Sequence, residues 1–175
     1  MKKILSTLLV ATLAATFAQA IQIDLLQKVS KKESRRGDYY GSGSTNYGNK
    51  SVERSKIFNV RISNVVPIEV VAIFYATTGG KMYSHIIEGI ASHDKPLQYE
   101  YTSGVATSST YKYYDDNKKY TYGNDKVEAC VFVFEKKTCK LSAQKFTSKT
   151  FADRVLKSDY DKMIEKVKSL SQENQ

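Results

Sequence analysis

Tryptophan is absent from this sequence, and cysteine and histidine occur only twice each. A zinc site needs three or four nitrogen, thiolate or carboxylate ligands at suitable spacing, and a thiol nucleophile needs an orienting base. His85, His93, Cys130 and Cys139 offer neither arrangement. His85, beside Tyr83 and Ile87, reads as a sheet-surface histidine, and His93 sits next to Asp94 in a loop. Cys130 lies in an apolar run that disfavours its thiolate, and Asp115-Asp116 reads as part of a turn. Gly41-Ser42-Gly43 lacks the strand-then-helix setting of a phosphate loop. No catalytic, cofactor-binding or metal-ligating residue is therefore assigned, and the chain reads as non-enzymatic. The missing tryptophan also weakens any sugar-stacking platform. After residue 20, no apolar run approaches the roughly 20 residues that a membrane-spanning helix wants.

What is present begins with an export pattern. Met1-Lys2-Lys3 is basic, Ile4 to Phe17 is mostly apolar, and Ala18-Gln19-Ala20 fits a small-residue cleavage site, so residues 1–20 read as a secretory signal peptide. No cysteine follows that site, which argues against a lipid-anchored lipoprotein. The expected mature chain starts near Ile21 and goes to the periplasm, the cell surface or the medium. It keeps 155 of the 175 residues, enough for one domain with a real core. Loss of Lys2 and Lys3 takes the formal charge from +9 to +7. The lysines are spread evenly, which with export argues against a nucleic-acid partner.

The stretch from Lys56 to Ala76 organises the rest. Phe58, Val60 and Ile62 alternate with Asn59, Arg61 and Ser63, a strand with one dry and one wet face. After Val66-Pro67, Ile68 to Ala76 is apolar on both faces apart from Glu69 and needs cover on both sides. Lys126 to Phe134 has the same character. Further strands are expected over 21–29, 81–89, 96–102 and 139–147, with a turn at Thr77-Thr78-Gly79-Gly80. This predicts a mainly β fold, an immunoglobulin- or fibronectin-like antiparallel β-sandwich of about seven strands over residues 21–150. Ala152, Val155, Leu156, Met163, Val167 and Leu170 recur at helical spacing, so an amphipathic helix and tail follow over 151–175. Thr150 with Asp153 suggests a capping box, and Asp153 with Lys157 an i,i+4 pair. The helix reads either as an outer layer over a sheet or as a docking element for a partner.

Cys130 and Cys139 flank Glu135-Lys136-Lys137-Thr138. With Lys136 and Lys137 as the turn, Cys139 stands opposite Phe134 and Cys130 lies four residues further along. At about 3.4 Å per residue that exceeds the roughly 7 Å Cα limit of a disulfide, and both thiols are expected to be free.

Residues 30–51 and 104–125 are rich in Gly, Ser, Thr, Asn and Lys, and read as two mobile loops, the second an exposed connection with some strand in Ser109 to Tyr114. They carry Tyr39, Tyr40, Tyr47, Tyr111, Tyr113, Tyr114, Tyr120 and Tyr122, the candidate contact surface. Tyrosine offers large, stiff contact area with a polar tip. Arg36-Gly37-Asp38 matches the integrin-binding tripeptide in one of these loops, although any tripeptide recurs by chance.

The combination of Phe-Asn-Val-Arg-Ile-Ser-Asn, Ile-Glu-Val-Val-Ala-Ile-Phe-Tyr, a Ser/Thr/Tyr/Lys insertion and Val-Glu-Ala-Cys-Val-Phe-Val-Phe-Glu-Lys-Lys-Thr carries a resemblance over roughly residues 52–150. It resembles small secreted immunoglobulin-like envelope proteins of verrucomicrobial (Akkermansia-type) bacteria, one of them pilus-operon-associated. The resemblance implies a fold, an export route and an envelope or pilus association, and it brings no catalytic residues. The expected function is an exported, non-enzymatic envelope protein acting by contact with an unidentified protein partner, such as a pilus or envelope component. The alternative is a carbohydrate- or host-surface-binding module that uses the Tyr/Lys-rich loops.

Overall fold

The computed structural model describes residues 20–37, 48–78, 80–104, 106–113, 116–122 and 127–173. The element order is β1 (Gln22–Gly37), β2 (Gly48–Ser63), β3 (Ile68–Thr78), β4 (Lys81–Ala91), β5 (Leu97–Thr102), β6 (Ala106–Tyr113), β7 (Asp116–Tyr122), β8 (Ala129–Glu135), β9 (Lys140–Phe146) and α1 (Lys149–Gln172). The two strands that are apolar on both faces, β3 and β8, pair with each other from Val70↔Glu135 to Ala76↔Ala129. With β4 and β9 outside them they form an antiparallel sheet in the order β4-β3-β8-β9. The second sheet has the order β1-β2-β6-β7, and β5 also pairs with β2. The structure is a mainly β, two-sheet sandwich with one C-terminal helix.

Each doubled apolar face has its own cover. Val70, Ala72, Phe74, Ala76, Val131 and Val133 meet Phe58, Val60 and Ile62 of β2 between the sheets. On the other side, Val71, Ile73, Tyr75, Cys130, Phe132 and Phe134 meet Phe151, Ala152, Val155, Met163 and Val167 of α1. Side chains three, four and eight residues apart make one stripe on a helix, so α1 closes this face as a third layer. The outer-layer reading is the one its packing supports.

Local details differ from the sequence expectations in three places. Ser148 caps α1, its hydroxyl accepting from Phe151 N, so Thr150 lies inside the first turn. Asp153 pairs with Lys149 one turn earlier, at 2.6 Å. The β8–β9 turn takes four residues, Lys136 to Cys139, with Glu135↔Lys140 closing it. Cys139 therefore sits in the turn at φ 54°, and Leu141 stands opposite Phe134. Ser142 is then an extra residue between Phe134↔Leu141 and Val133↔Ala143, a β-bulge. It sends Leu141 to the helix side and Ala143 to the inter-sheet core, although the two are only two residues apart.

The larger difference lies in the polar segments. Seven strands match those expected, and residues 104–125 add the β6–β7 hairpin. Residues 30–37 and 48–51 are paired strand, not loop, and residues 38–47 lie outside the described residues. Each strand of the β1–β2 hairpin has 16 residues, roughly 50 Å of strand. Only the half from Gln22 and Ser63 lies over the β4-β3-β8-β9 sheet. Beyond Gln27, β1 is exposed on both faces as far as Glu33, while β6 and β7 pack chiefly on β2 and on each other. Threonine and tyrosine favour extended backbone, and ladder hydrogen bonds join these strands to β2.

The layered packing makes a direct test of α1. Met163→Ala should lower the unfolding free energy by about 2–5 kcal/mol. Lys162→Ala, exposed on the same helix, should change it by no more than about 0.5 kcal/mol. Urea unfolding of the isolated protein decides the matter, because a helix reserved for a partner would leave Met163→Ala silent.

Candidate contact surfaces

The eight sequence-predicted tyrosines divide in two. Tyr39, Tyr40, Tyr47 and Tyr114 lie outside the described residues, as does Asp38 of the Arg36-Gly37-Asp38 tripeptide. Tyr111 and Tyr113 belong to β6, and Tyr120 and Tyr122 to β7. The register Thr107↔Tyr122, Ser109↔Tyr120, Tyr111↔Lys118 and Tyr113↔Asp116 puts all four on one face of the hairpin. Strand alternation thus gathers residues that the sequence only showed as a cluster. By the β2–β6 register this face continues the outer face of β1 and β2, the side of Asn59 and Arg61.

A second aromatic group was not anticipated as a surface. Tyr83 and His85 of β4 meet Tyr99 and Tyr101 of β5 where the two sheets come edge to edge. His85 stacks on Tyr99 at 4.2 Å and 9°, and Tyr83 on Tyr101 at 4.7 Å and 22°. The Tyr83 and Tyr99 hydroxyls are 3.0 Å apart, and Thr78 Oγ1 lies 3.3 Å from Tyr101 Oη. Phe74 backs both β5 tyrosines at 5.4 Å, tying the group to the core. Burial, and then the hydrogen bond with Tyr83, push the Tyr99 hydroxyl upward from its ordinary value. The signal was available: Tyr83, His85 and Ile87 alternate on one face of β4, as Leu97, Tyr99 and Tyr101 do on β5. What the sequence could not supply was their facing one another. The approach is close lower down too, where a Cβ on Gly89 (φ +152°) would meet Leu97 Cδ2 at 2.9 Å.

The outer face of the β1-β2-β5 region carries a shallow groove of about 420 Å³ lined by Asp24, Leu26, Asn59, Arg61, Gln98 and Glu100. Among the described residues no helix covers this face, unlike the outer face of the other sheet. Its polar lining follows from alternation, since Phe58, Val60, Tyr99 and Tyr101 face inward.

Ionisable groups are used structurally. Lys136, in the turn as expected, is only 5% exposed. Its ammonium donates to Glu88 Oε1 at 2.6 Å and to Glu69 Oε1 at 3.0 Å, and its backbone N–H to the Glu69 carbonyl at 3.0 Å. Glu69, the lone charge in β3, thus has its partner in the β8–β9 turn. His93 and Asp94 are exposed in the β4–β5 loop. Among the described residues no group of three or more His, Cys, Asp or Glu is placed to hold a metal ion. Among the described residues no helix is long and apolar enough to cross a membrane.

Both cysteines are free thiols. Cys130 is buried against α1 and pairs across with Phe146, at the far end of the hairpin from Cys139. Cys139 Sγ lies 3.5 Å from the Lys136 carbonyl oxygen. Burial pushes the Cys130 thiol from 9.0 up to about 12. Burial, with the Asp159 carboxylate second, raises Tyr75 from 10.0 to about 12. The hydrogen bonds to Glu88 and then Glu69 raise the Lys136 ammonium above 10.5. Each group holds its proton to higher pH folded than unfolded, so their stabilisation is complete below about pH 9 and is lost as pH climbs towards 12. Cys130 alone should contribute a fall of about 1.4 kcal/mol per pH unit above its unfolded value. Unfolding measured from pH 8 to 10.5 should show this decline, with a shallower slope for Cys130→Ala. At pH 8, Cys130 should resist alkylation until the chain is denatured, whereas Cys139 reacts in the native protein.

Comparison with family models, with curated proteins and with solved structures finds no match for this chain.

Proposed function

We propose that this chain is an exported, non-catalytic protein that works by protein–protein contact in a bacterial envelope, in a pilus- or surface-type assembly. The single observation that carries the reading is the sheet that runs past the sandwich and collects Tyr111, Tyr113, Tyr120 and Tyr122 on one face. The β1 strand of this extension is exposed from Lys28 to Glu33 and contributes little to a core, whereas tyrosine is the residue type that supplies contact area at low entropic cost. The basic, apolar and small-residue pattern of residues 1–20 supports export. The strand order supports an immunoglobulin/fibronectin-type assignment, with β1-β2-β5 on one sheet and β4-β3-β8-β9 on the other. The resemblance to verrucomicrobial envelope proteins supplies the setting.

Site-directed photocrosslinking tests the reading. A photoreactive phenylalanine at Tyr120 should capture a defined protein from envelope fractions, and the same group at Lys162 on α1 should not. Equal capture from both positions, or recovery of polysaccharide in place of protein, rejects it.

A further inference from the structure

The groove on the outer face of the β1-β2-β5 region is built as two rows of three side chains. The register sets Asp24, Arg61 and Gln98 abreast in one row, and Leu26, Asn59 and Glu100 in the next. All six point away from the core, because Leu25, Val60 and Tyr99 alternate with them on the inner side. The strands beneath are held by that core, so the two rows stand on a fixed base. Five of the six side chains end in a planar polar group: two carboxylates, two carboxamides and one guanidinium. None of these five makes a side-chain hydrogen bond or ion pair with another described residue. Arg61 has Asp24 directly opposite and Glu100 on the diagonal, and it pairs with neither. Elsewhere in the fold neighbouring opposite charges do close, as Lys136 does on Glu69 and Glu88. Leu26 adds one apolar side chain, 59% exposed, at the corner of the array.

We propose that this groove binds a neutral oligosaccharide, its hydroxyls on the planar polar groups and the C–H face of one ring on Leu26. A sugar hydroxyl both donates and accepts, and two adjacent hydroxyls meet the two ends of one carboxylate, carboxamide or guanidinium. The lining supplies acceptors on Asp24 and Glu100, donors on Arg61, and both kinds on Asn59 and Gln98. Three strands abreast cover about 10 Å, room for a disaccharide. The volume of about 420 Å³ falls in the range of small-molecule sites. Other occupants fit less well. Two carboxylates against one guanidinium repel a polyanion, and the face of a sheet offers no backbone edge to an extended peptide. A single exposed leucine is too little apolar area for the centre of a protein interface. The tyrosines lie on the same side of the sheet but begin roughly 20 Å further along β2, at the level of Glu53. The proposal uses none of them and does not rest on the protein-contact reading.

The test titrates the full chain with cellotriose, mannotriose, galactotriose and chitotriose and follows the backbone amides by NMR. At least one of these sugars should shift the amides around Asp24, Asn59 to Arg61 and Gln98 to Glu100, and leave those of α1 in place. Arg61→Ala and Gln98→Ala should each weaken binding about tenfold, with urea midpoints unchanged. Lys28→Ala, exposed on β1 in the next row, should weaken it less than about twofold. The ligand carries no charge, so affinity should hold as salt is raised. A trisaccharide is too short to reach Tyr120, which keeps this outcome separate from crosslinking there. Absence of groove shifts with all four sugars overturns the proposal, as do shifts centred elsewhere. Losses in Lys28→Ala equal to those in Arg61→Ala, or tighter binding to heparin or polylysine than to any of the sugars, overturn it by reducing the groove to a charged surface.

Discussion

Two neighbouring strands that are apolar on both faces cannot be satisfied by one covering layer. β3 and β8 are such strands, and the rest of the architecture follows from covering them twice. The β1-β2-β5 region meets the face of Val70, Ala72, Phe74, Val131 and Val133. The helix α1 meets the face of Val71, Ile73, Phe132 and Phe134. Most of these side chains are wholly buried, and burying each valine, isoleucine or phenylalanine is worth about 1.5–3 kcal/mol against leaving it in water. The helix is thus as much part of the core as either sheet. Lys136 and the C-terminal end of α1 lock the layers together at one end: the Ser171 hydroxyl donates to the Lys136 carbonyl at 2.8 Å while the Lys136 ammonium holds β3 and β4 through their glutamates.

The same rule explains where the sandwich stops. Along β2 the alternating Phe58, Val60 and Ile62 are buried where β3 and β8 lie opposite. The positions that continue this face are Lys56, Arg54, Val52 and Lys50, and charge replaces bulk as the second layer ends. Backbone pairing continues without interruption through Gly37↔Gly48, and β6 and β7 widen the sheet. The β1 strand of this segment, exposed from Lys28 to Glu33, is left available for other uses. The tyrosine-bearing face of the segment is where we place the protein contact of this chain, with the sandwich and helix as its support.

Much of this was legible in the sequence. The doubled apolar strands, the alternation of β2 and β5, the helix and its buried stripe all follow from periods of two and 3.6 residues. The strand expected at Ser109 to Tyr114 corresponds to β6, but the extension of β1 and β2 and the pairing of β7 did not show in the sequence, because low apolar content gives no sign of what orders a segment. Their order comes from ladder hydrogen bonds to a strand already held by the core, a non-local cause. The cysteine hairpin shows the same limit on a smaller scale. The turn at Lys136 to Cys139 and the bulge at Ser142 shift the register in a way that apolar spacing does not encode.

By itself the sequence determined which faces must be dry: alternation along a strand and stripes along a helix are local, and water enforces them wherever the chain folds. Tertiary structure alone decided who meets whom across long stretches of chain. Lys136 reaches Glu69 and Glu88, 67 and 48 residues away in sequence, and Tyr83 meets Tyr99 across 16. It also placed Tyr111, Tyr113, Tyr120 and Tyr122 on one face of a hairpin. Which strands become neighbours, and in what register, depends on the packing of the whole fold, and no local pattern in the chain carries that choice.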